Sequence, residues 1–345
     1  MTDNALLRRT LEADPARYLK PLKDLVAIDT PVVGHGIAGG REKEGQAYMA
    51  RLLKELGATV TVRQMDEADI ETALARYREG NPGHNYDGRE NVYGFFRGGG
   101  GRSLMFNGHI DTMPPGDVSL WKHPPLSAEV EGGRLYGSGA ADMKSGLMAA
   151  VMAVKLIKDA GMALPGDVVI SSVADEEGGG NGSIAAAVQG LKADGVVVCE
   201  PSDGGLIMAH MGFVFFRVQV TGLANHSGGK WLGVSAIEKS IRLIQAIDEL
   251  EHRWLLKYKH PLLPAPNLNV GTIHGGTAGS TVAGACTFEV CVHYLPFQMT
   301  YDQVVSEFTA AIEWASKGDP WLNEHRPEIA VYQAGGAFEM ERGGA

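Results

Sequence analysis

With 345 residues, the chain is long enough to form two domains. Its 44% hydrophobic and 21% charged residues are ordinary for a soluble globular protein, and its net charge of −10 argues against a nucleic-acid partner, which needs a basic patch. The N-terminal residues lack the apolar core of a signal peptide, and no run approaches the roughly 20 apolar residues of a membrane span. Three cysteines do not suggest a disulfide framework. We therefore expect a cytoplasmic protein with neither nucleic acid nor membrane as a partner.

The first part of the chain alternates predicted helices with predicted strands. The predicted helices cover residues 5–28, 41–56, 147–158 and 183–191, and the predicted strands cover 58–62, 91–96, 103–106, 134–136, 167–174 and 195–199. Residues 66–88 are polar and contain Gly and Pro, so they are predicted to be an irregular excursion. Alternating strands and helices indicate an α/β domain with a mostly parallel sheet covered by helices, and we place it at residues 1–208.

The pattern changes after about residue 208. Strands are predicted at 213–220, 268–273, 285–295 and 328–332, and helices at 233–250 and 301–315. This βαββαβ order is the ferredoxin-like pattern. We therefore predict a second domain at residues 209–333, inserted before residues 334–345 start a return to the first domain.

A histidine and an aspartate come directly after the strand predicted at 103–106. His109 and Asp111 are two residues apart, so their side chains point to the same side of an extended chain. Ligands in open α/β sheets collect at the carboxyl ends of strands, and a metal-bound histidine usually donates its other ring N–H to a carboxylate. Such a pair alone is more often a hydrogen-bonded pair in a loop, and a metal site is favoured only if other strands also end in metal-binding side chains.

Carboxylates come after three further strands or strand-linked loops, at Asp142, Glu176, Glu177 and Glu200. Metals such as zinc accept imidazole and carboxylate ligands together, and a carboxylate can bridge two ions in a hydrolytic site. Neighbouring glutamates in an extended segment point to opposite sides, so one would bind metal while the other meets the water. Each acid alone is most simply a solvated loop charge, but the four positions together favour a metal site. The serine-hydrolase elbow Gly-x-Ser-x-Gly is absent from the sequence.

Five motifs in the chain occur together, in the same order and spacing, in one known family. They are Gly108-His-Ile-Asp-Thr112, Gly139-Ala-Ala-Asp-Met-Lys-Ser-Gly146, Asp175-Glu-Glu-Gly-Gly179, Cys199-Glu-Pro-Ser202 and Gly222-Leu-Ala-Asn-His-Ser-Gly228. Over nearly its whole length the sequence resembles the dinuclear zinc deacylase and peptidase family, which includes acetylornithine deacetylase, succinyl-diaminopimelate desuccinylase, aminoacylase and glutamate carboxypeptidase. The resemblance implies a zinc-dependent hydrolase that cleaves an amide bond in a small N-acyl amino acid or peptide-like substrate.

The resemblance also implies how the metal ions are held. His109 and Glu200 would bind one zinc, Asp142 would bridge two zincs, and Glu177 would bind the second. Cobalt would be a candidate substitute. The peptide bond after Asp142 would be cis, as it is in the family.

Further roles carry over to single residues. Glu176 would be the general base that takes a proton from the attacking water and returns it to the leaving amine, and Asp111 would orient His109. His226 would reach the active site of a partner subunit and polarise the scissile carbonyl. The resemblance therefore implies a homodimer formed through residues 209–333, which would act as a lid.

The sequence departs from the family at two places. Ser280 and His293 stand where the family has an asparagine and an arginine that help to bind the substrate's carboxylate. His is shorter than Arg and only partly charged near neutral pH, so we expect weaker anchoring. The family also continues for roughly another quarter of its length and there supplies the histidine of the second zinc. We therefore expect a C-terminally truncated chain with one tight zinc and weak or absent activity. The alternative is an inactive homologue that binds metal and dimerises.

Overall fold

The computed structural model of the protein describes residues 3–340. The chain divides into two compact units, with the boundary between Gly205 and Leu206. Of the predicted return segment 334–345, residues 341–345 lie outside the described part of the chain. Across residues 3–340, each helix is too short or too polar to cross a membrane.

The first unit alternates helices and strands along the chain. Its elements are α1 (Asp3–Ala13), α2 (Pro15–Val26), β1 (Val32–Gly36), β2 (Gly39–Gly40), α3 (Lys43–Glu55), β3 (Thr59–Gln64), α4 (Glu67–Tyr77), β4 (Glu90–Phe96), β5 (Gly101–His109), β6 (Glu129–Glu131), β7 (Arg134–Tyr136), α5 (Ser145–Asp159), β8 (Gly166–Val173), α6 (Asn181–Val188) and β9 (Gly195–Val198). A short 3-10 helix covers Val118–Leu120, and an irregular turn at Ala140–Lys144 precedes α5.

A five-stranded sheet in the order β3-β4-β8-β5-β9 forms the centre of the first unit. Strand β5 pairs in parallel with β8 and β9, whereas β4 pairs antiparallel with β3 and β8. The predicted α/β class is confirmed, but the sheet is mixed rather than mostly parallel. Alternation of elements does not reveal strand direction, and the connection between β3 and β4 returns the chain antiparallel to β3. Helices α3 and α5 pack on the sheet through buried side chains that include Met49, Leu53, Leu147 and Val151.

Two local predictions for the first unit are wrong. The helix predicted at 5–28 is two helices, because a residue before proline is disfavoured in the α conformation and Asp14 precedes Pro15. Asp14 is not helical, and its side chain instead accepts the backbone N–H of Arg17 and caps α2. The excursion predicted at 66–88 contains α4, whose buried Ile70 and Ala73 are hidden in a polar sequence.

The second unit contains a longer set of strands and helices. Its elements are β10 (Ala209–His210), β11 (Gly212–Thr221), β12 (Asn225–His226), α7 (Ala236–Lys257), β13 (Asn267–Gly275), β14 (Thr281–Val282), β15 (Ala285–Tyr294), α8 (Tyr301–Lys317), α9 (Pro320–Glu324), β16 (Glu328–Gly335) and β17 (Phe338–Glu339). A 3-10 helix at Ser227–Leu232 comes after β12.

The predicted βαββαβ order is confirmed in the second unit. Strands β13, β15, β11 and β16 form an antiparallel sheet in that order, and α7 and α8 cover one of its faces. Burial alternates along β11, so that Phe216 and its even-numbered neighbours point into the core. There Phe216 stacks on Phe308 of α8, with ring centroids 3.9 Å apart.

Candidate active site

The predicted site residues of the first unit lie at one edge of its sheet. His109 is the last residue of β5 and is in register with Val173, the last residue of β8. Glu176 comes three residues after Val173, and Glu200 comes two residues after the end of β9. Because the three strands are parallel, their carboxyl ends meet at the same edge and bring these side chains together.

The imidazole of His109 is fully buried and faces three carboxylates. Its Nε2 lies 3.2 Å from Oδ1 of Asp142, 3.7 Å from Oε2 of Glu176 and 3.7 Å from Oε1 of Glu200. These carboxylates are between a third and three fifths exposed. The candidate site therefore combines a buried imidazole with carboxylates that solvent can reach.

Asp111 contacts both His109 and the loop after β8. Nδ1 of His109 is 2.9 Å from the backbone oxygen of Asp111 and 3.5 Å from its carboxylate Oδ1, so the closer acceptor is the carbonyl rather than the expected carboxylate. The other carboxylate oxygen, Oδ2, accepts the backbone N–H of Glu177 at 3.0 Å. The backbone oxygen of Asp111 is therefore the nearest acceptor for the ring of His109, and its carboxylate holds the loop that carries Glu176 and Glu177.

Asp142 is presented by the irregular turn before α5. The Asp142–Met143 peptide bond is cis, as the resemblance implies. Gly139 opens the turn with φ of 68°, and a Cβ there would lie 2.2 Å from the methyl group of Thr112, so the position requires glycine. The buried Lys144 closes the turn, and its Nζ donates hydrogen bonds to the backbone oxygens of Leu25, in the last turn of α2, and Ile28, just after it.

The site carboxylates shift one another's pKa and that of the imidazole. Burial by itself would lower the pKa of His109, but the negative carboxylates of Asp111, Glu176 and Glu200 raise it to about 10. Burial is the largest cause that raises the pKa of Glu200, to about 7. The charge of His109 opposes this rise, and the charges of Glu176 and Asp142 add to it. Burial is also the largest cause of the raised pKa of Glu176.

The donor set fits a divalent cation. Two groups of possible ligands have donor atoms within 4.8 Å of one another, namely His109 with Glu176 and Glu200, and His109 with Asp142 and Glu177. One imidazole with several carboxylates is a donor set that zinc accepts. The grouping differs from the implied one. Glu176, the expected base, is grouped with Glu200, and Glu177, expected at the second zinc, is grouped with His109 and Asp142. Both groups share His109, and neither contains a second histidine from residues 3–340.

A buried ionic network beneath the site is not predictable from local sequence. Arg89 donates to Asp175 and pairs with Glu42, and all three side chains are at most 1% exposed. His84 contacts the same aspartate, and its side chain is 3% exposed. His84 lies in the segment predicted to be an irregular excursion. Its partner is 91 residues further along the chain, so no local pattern could have indicated the contact.

The remaining predicted residues lie in the second unit. His226 is exposed on β12, which pairs with β14, and the backbone oxygen of Ser280 accepts the N–H of Ser227 beside it. This corner borders a groove of about 580 Å³. His293 is not part of it, because it lies near the far end of β15, roughly 27 Å along the strand from Ala285 at a rise of about 3.4 Å per residue.

Comparisons with known proteins identify the family to which the chain belongs. Residues 105–338 match the family described as Peptidase family M20/M25/M40. The chain is 31% identical to N-formyl-4-amino-5-aminomethyl-2-methylpyrimidine deformylase of Bacillus subtilis, over 97% of this chain and 75% of that protein. It is 33% identical to acetylornithine deacetylase of Vibrio cholerae, over 58% of this chain and 53% of that protein. The chain thus spans three quarters of the first relative and about half of the second.

A solved structure shows the same fold. The crystal structure of a tripeptidase from Staphylococcus aureus superposes with a TM-score of 0.66 at 20% sequence identity, and the match covers 94% of this chain and 77% of that one. The family match over more than half of the chain identifies the sequence, and the fold agrees with it. The chain therefore belongs to Peptidase family M20/M25/M40, a family of amide-hydrolysing enzymes.

Proposed function

We propose that the protein is a zinc-dependent hydrolase that removes a small acyl group, such as formyl or acetyl, from the nitrogen of a small amine or amino acid. The observation that carries the proposal is the convergence of one buried imidazole and four carboxylates at the carboxyl edge of the first unit's sheet. The deformylase and deacetylase among the relatives support the substrate class.

His109, Asp142, Glu177 and Glu200 are the proposed metal ligands. A bound divalent ion would supply Lewis-acid polarisation of the amide carbonyl and would acidify water. The chain's own contribution is to hold the ligands in place. Asp111 does so on both sides of the centre, because it contacts His109 through its carbonyl and Glu177 through its carboxylate.

Glu176 is the proposed general base. Its carboxylate is 38% exposed, so a water molecule can reach it, and its raised pKa brings its basicity closer to neutral pH. Glu176 would accept the proton that water loses as its oxygen bonds to the carbonyl carbon. It would then return that proton to the amine nitrogen as the carbon–nitrogen bond breaks, which leaves a carboxylic acid and a free amine.

His226 is the proposed donor to the substrate carbonyl, acting from the partner subunit of a homodimer. Its Nδ1 accepts the backbone N–H of Gly228 at 3.1 Å, so the ring proton belongs on Nε2. An exposed Nε2–H is the donor that polarisation of a carbonyl requires. Ser280, in the same corner, is the proposed contact for a carboxylate of the substrate, and His293 is left out of this proposal because it lies near the far end of β15.

A panel of substrates tests the function. Zinc-loaded protein is incubated with N-formyl, N-acetyl, N-succinyl and N-carbamoyl amino acids and with an N-formylaminomethyl pyrimidine, and the released amine is measured. We expect release of amine and acid in equal amounts from at least one formyl or acetyl compound. Full zinc loading without hydrolysis of any member would contradict the proposal and favour a non-catalytic metal-binding protein.

A further inference from the structure

Asp175, the residue immediately before Glu176, has an unusual conformation. Its φ is +59°, although it is not glycine, and its side chain is fully buried. Positive φ is uncommon for residues other than glycine, and it persists where the surrounding contacts hold it. The conformation sets the direction in which the chain leaves β8 and therefore where the next two carboxylates point.

Both carboxylate oxygens of Asp175 are held by basic side chains. Oδ1 accepts a hydrogen bond from Nη1 of Arg89 at 2.8 Å, and Oδ2 lies 2.7 Å from Nδ1 of His84. Arg89 is held in turn by Glu42, next to the start of α3. Charge-assisted bonds of this kind are short and directional, so they fix the rotamer of Asp175.

The backbone around Asp175 is also fixed. Asn91 accepts the N–H of Ala174 at 3.0 Å, and the carbonyl oxygen of Glu176 accepts the N–H groups of Gly179 and Gly180 at 2.7 and 2.8 Å. The turn that carries Glu176 is therefore held from both ends, and Asp175 is the side chain that anchors its middle.

Two glycines pack closely against the side chains of Asp175 and His84. A Cβ on Gly178 would lie 2.5 Å from Oδ1 of Asp175, and a Cβ on Gly36 would lie 2.4 Å from Nδ1 of His84. A fully buried carboxylate in this setting does not meet substrate. Its effect on the site must pass through the backbone to Glu176 and Glu177.

We infer that His84 and Arg89 are positioning residues, which act through Asp175 to direct the carboxylates of Glu176 and Glu177 into the metal centre. The inference rests on the proposed function, in which Glu176 is the general base. A base displaced by about 1 Å loses on the order of 100-fold in rate, so the network should affect kcat rather than substrate binding.

Replacement of His84 provides the test. The variant His84→Ala removes the hydrogen bond to Oδ2 of Asp175. The variant His84→Asn replaces Nδ1 by an amide nitrogen that can donate the same hydrogen bond. We expect His84→Ala to lower kcat about 10- to 100-fold with KM within about twofold, and His84→Asn to recover most of the loss. If His84→Ala does not fold, Gly178→Ala applies the same test, because its methyl group displaces Asp175.

Leu53→Ala is the matched control for stability. Leu53 is fully buried in the core of the same unit and lies outside the network. We expect its kcat to stay within about twofold of wild type even where its Tm falls as far as that of His84→Ala, since a remote cavity removes stability without turning a catalytic side chain.

Two results would overturn the inference. One is an equal loss of kcat in His84→Ala and Leu53→Ala at equal loss of Tm, and the other is no recovery in His84→Asn. Failure of the proposed function would look different, because the wild type would then be inactive or Glu176→Gln fully active. A crystal structure of zinc-loaded His84→Ala decides independently of activity: the carboxylate of Glu176 should be displaced, and an unchanged carboxylate would refute the inference.

Discussion

Oδ2 of Asp111 accepts the backbone N–H of Glu177 at 3.0 Å, although the two residues are 66 positions apart. The fully buried Asp111 also holds the ring of His109 through its backbone oxygen. A single residue therefore fixes a proposed ligand on β5 relative to another on the loop after β8.

This relationship predicts the effect of Asp111→Asn. The amide oxygen can still accept the N–H of Glu177, but the negative charge that favours a bound cation is lost. We expect zinc affinity to fall about 10- to 100-fold, as for other residues that support metal ligands. Zinc affinity is measured by competition with a chelator. Asp117→Asn removes an exposed charge from the same unit and should leave the affinity unchanged, and an equal loss in both variants would contradict this role for Asp111.

The stoichiometry of zinc depends on the shared imidazole. Both candidate ligand groups use His109, and neither contains another histidine from the described residues 3–340. Carboxylates alone bind zinc more weakly than a site with imidazole, and their mutual repulsion favours protonation of one of them. We predict one tight zinc per chain and further binding only at high zinc, measured by titration of metal-free protein. Two equally tight zincs would mean that a residue outside these groups supplies the missing ligand.

The raised pKa values predict that zinc uptake releases protons. The pKa of His109 is raised to about 10 and that of Glu200 to about 7, so at pH 7 the metal-free site holds a proton on the imidazole and a partial proton on Glu200. Both must leave when zinc binds. Affinity should therefore rise with pH, about tenfold per unit above pH 7 and more steeply below it, where Glu200 also loses its proton. Zinc titrations of metal-free protein between pH 6 and 8 test this. A zinc affinity that does not change with pH would mean that His109 is not a ligand that loses a proton on zinc binding.

Mixing two inactive variants tests the role of His226. His226→Ala should lower turnover without lowering zinc content, because the imidazole is not a proposed ligand. Subunit exchange with Glu176→Gln should restore part of the activity, since a hybrid dimer holds one site with both residues intact. Size-exclusion chromatography and labelled subunits show whether exchange occurs. Exchange without any recovered activity would mean that His226 does not act across a dimer interface.

The proposed metal ligands could be picked out from the sequence because each lies in a short motif at the end of a strand or in the loop that follows one. His109 and Glu200 come at the ends of runs rich in apolar residues, and parallel strands bring such ends together. The supporting residues gave no such signal. Arg89 and His84 reach Asp175 across 86 and 91 residues, and their meeting depends on how the chain folds between them.

Two features of the fold were hidden for a related reason. Helix α4 is not predictable from its sequence because its buried Ile70 and Ala73 are scattered in a polar segment, where composition outweighs periodicity. The antiparallel direction of β4 is not predictable either, because a strand's own sequence does not encode the direction of its neighbour. The order βαββαβ was predictable in the second unit because its long alternating strands and amphipathic helices carry strong periodic signals.

The most direct test of the proposed mechanism compares Glu176→Gln with Glu177→Gln. If Glu176 is the base and Glu177 a ligand, the first variant keeps its zinc and loses turnover, whereas the second loses zinc as well. Turnover on the best substrate of the panel and zinc content by atomic absorption are measured on the same preparations. We predict that Glu176→Gln retains wild-type zinc and loses at least about 100-fold in kcat. Turnover within a few-fold of wild type at full zinc loading would contradict the mechanism.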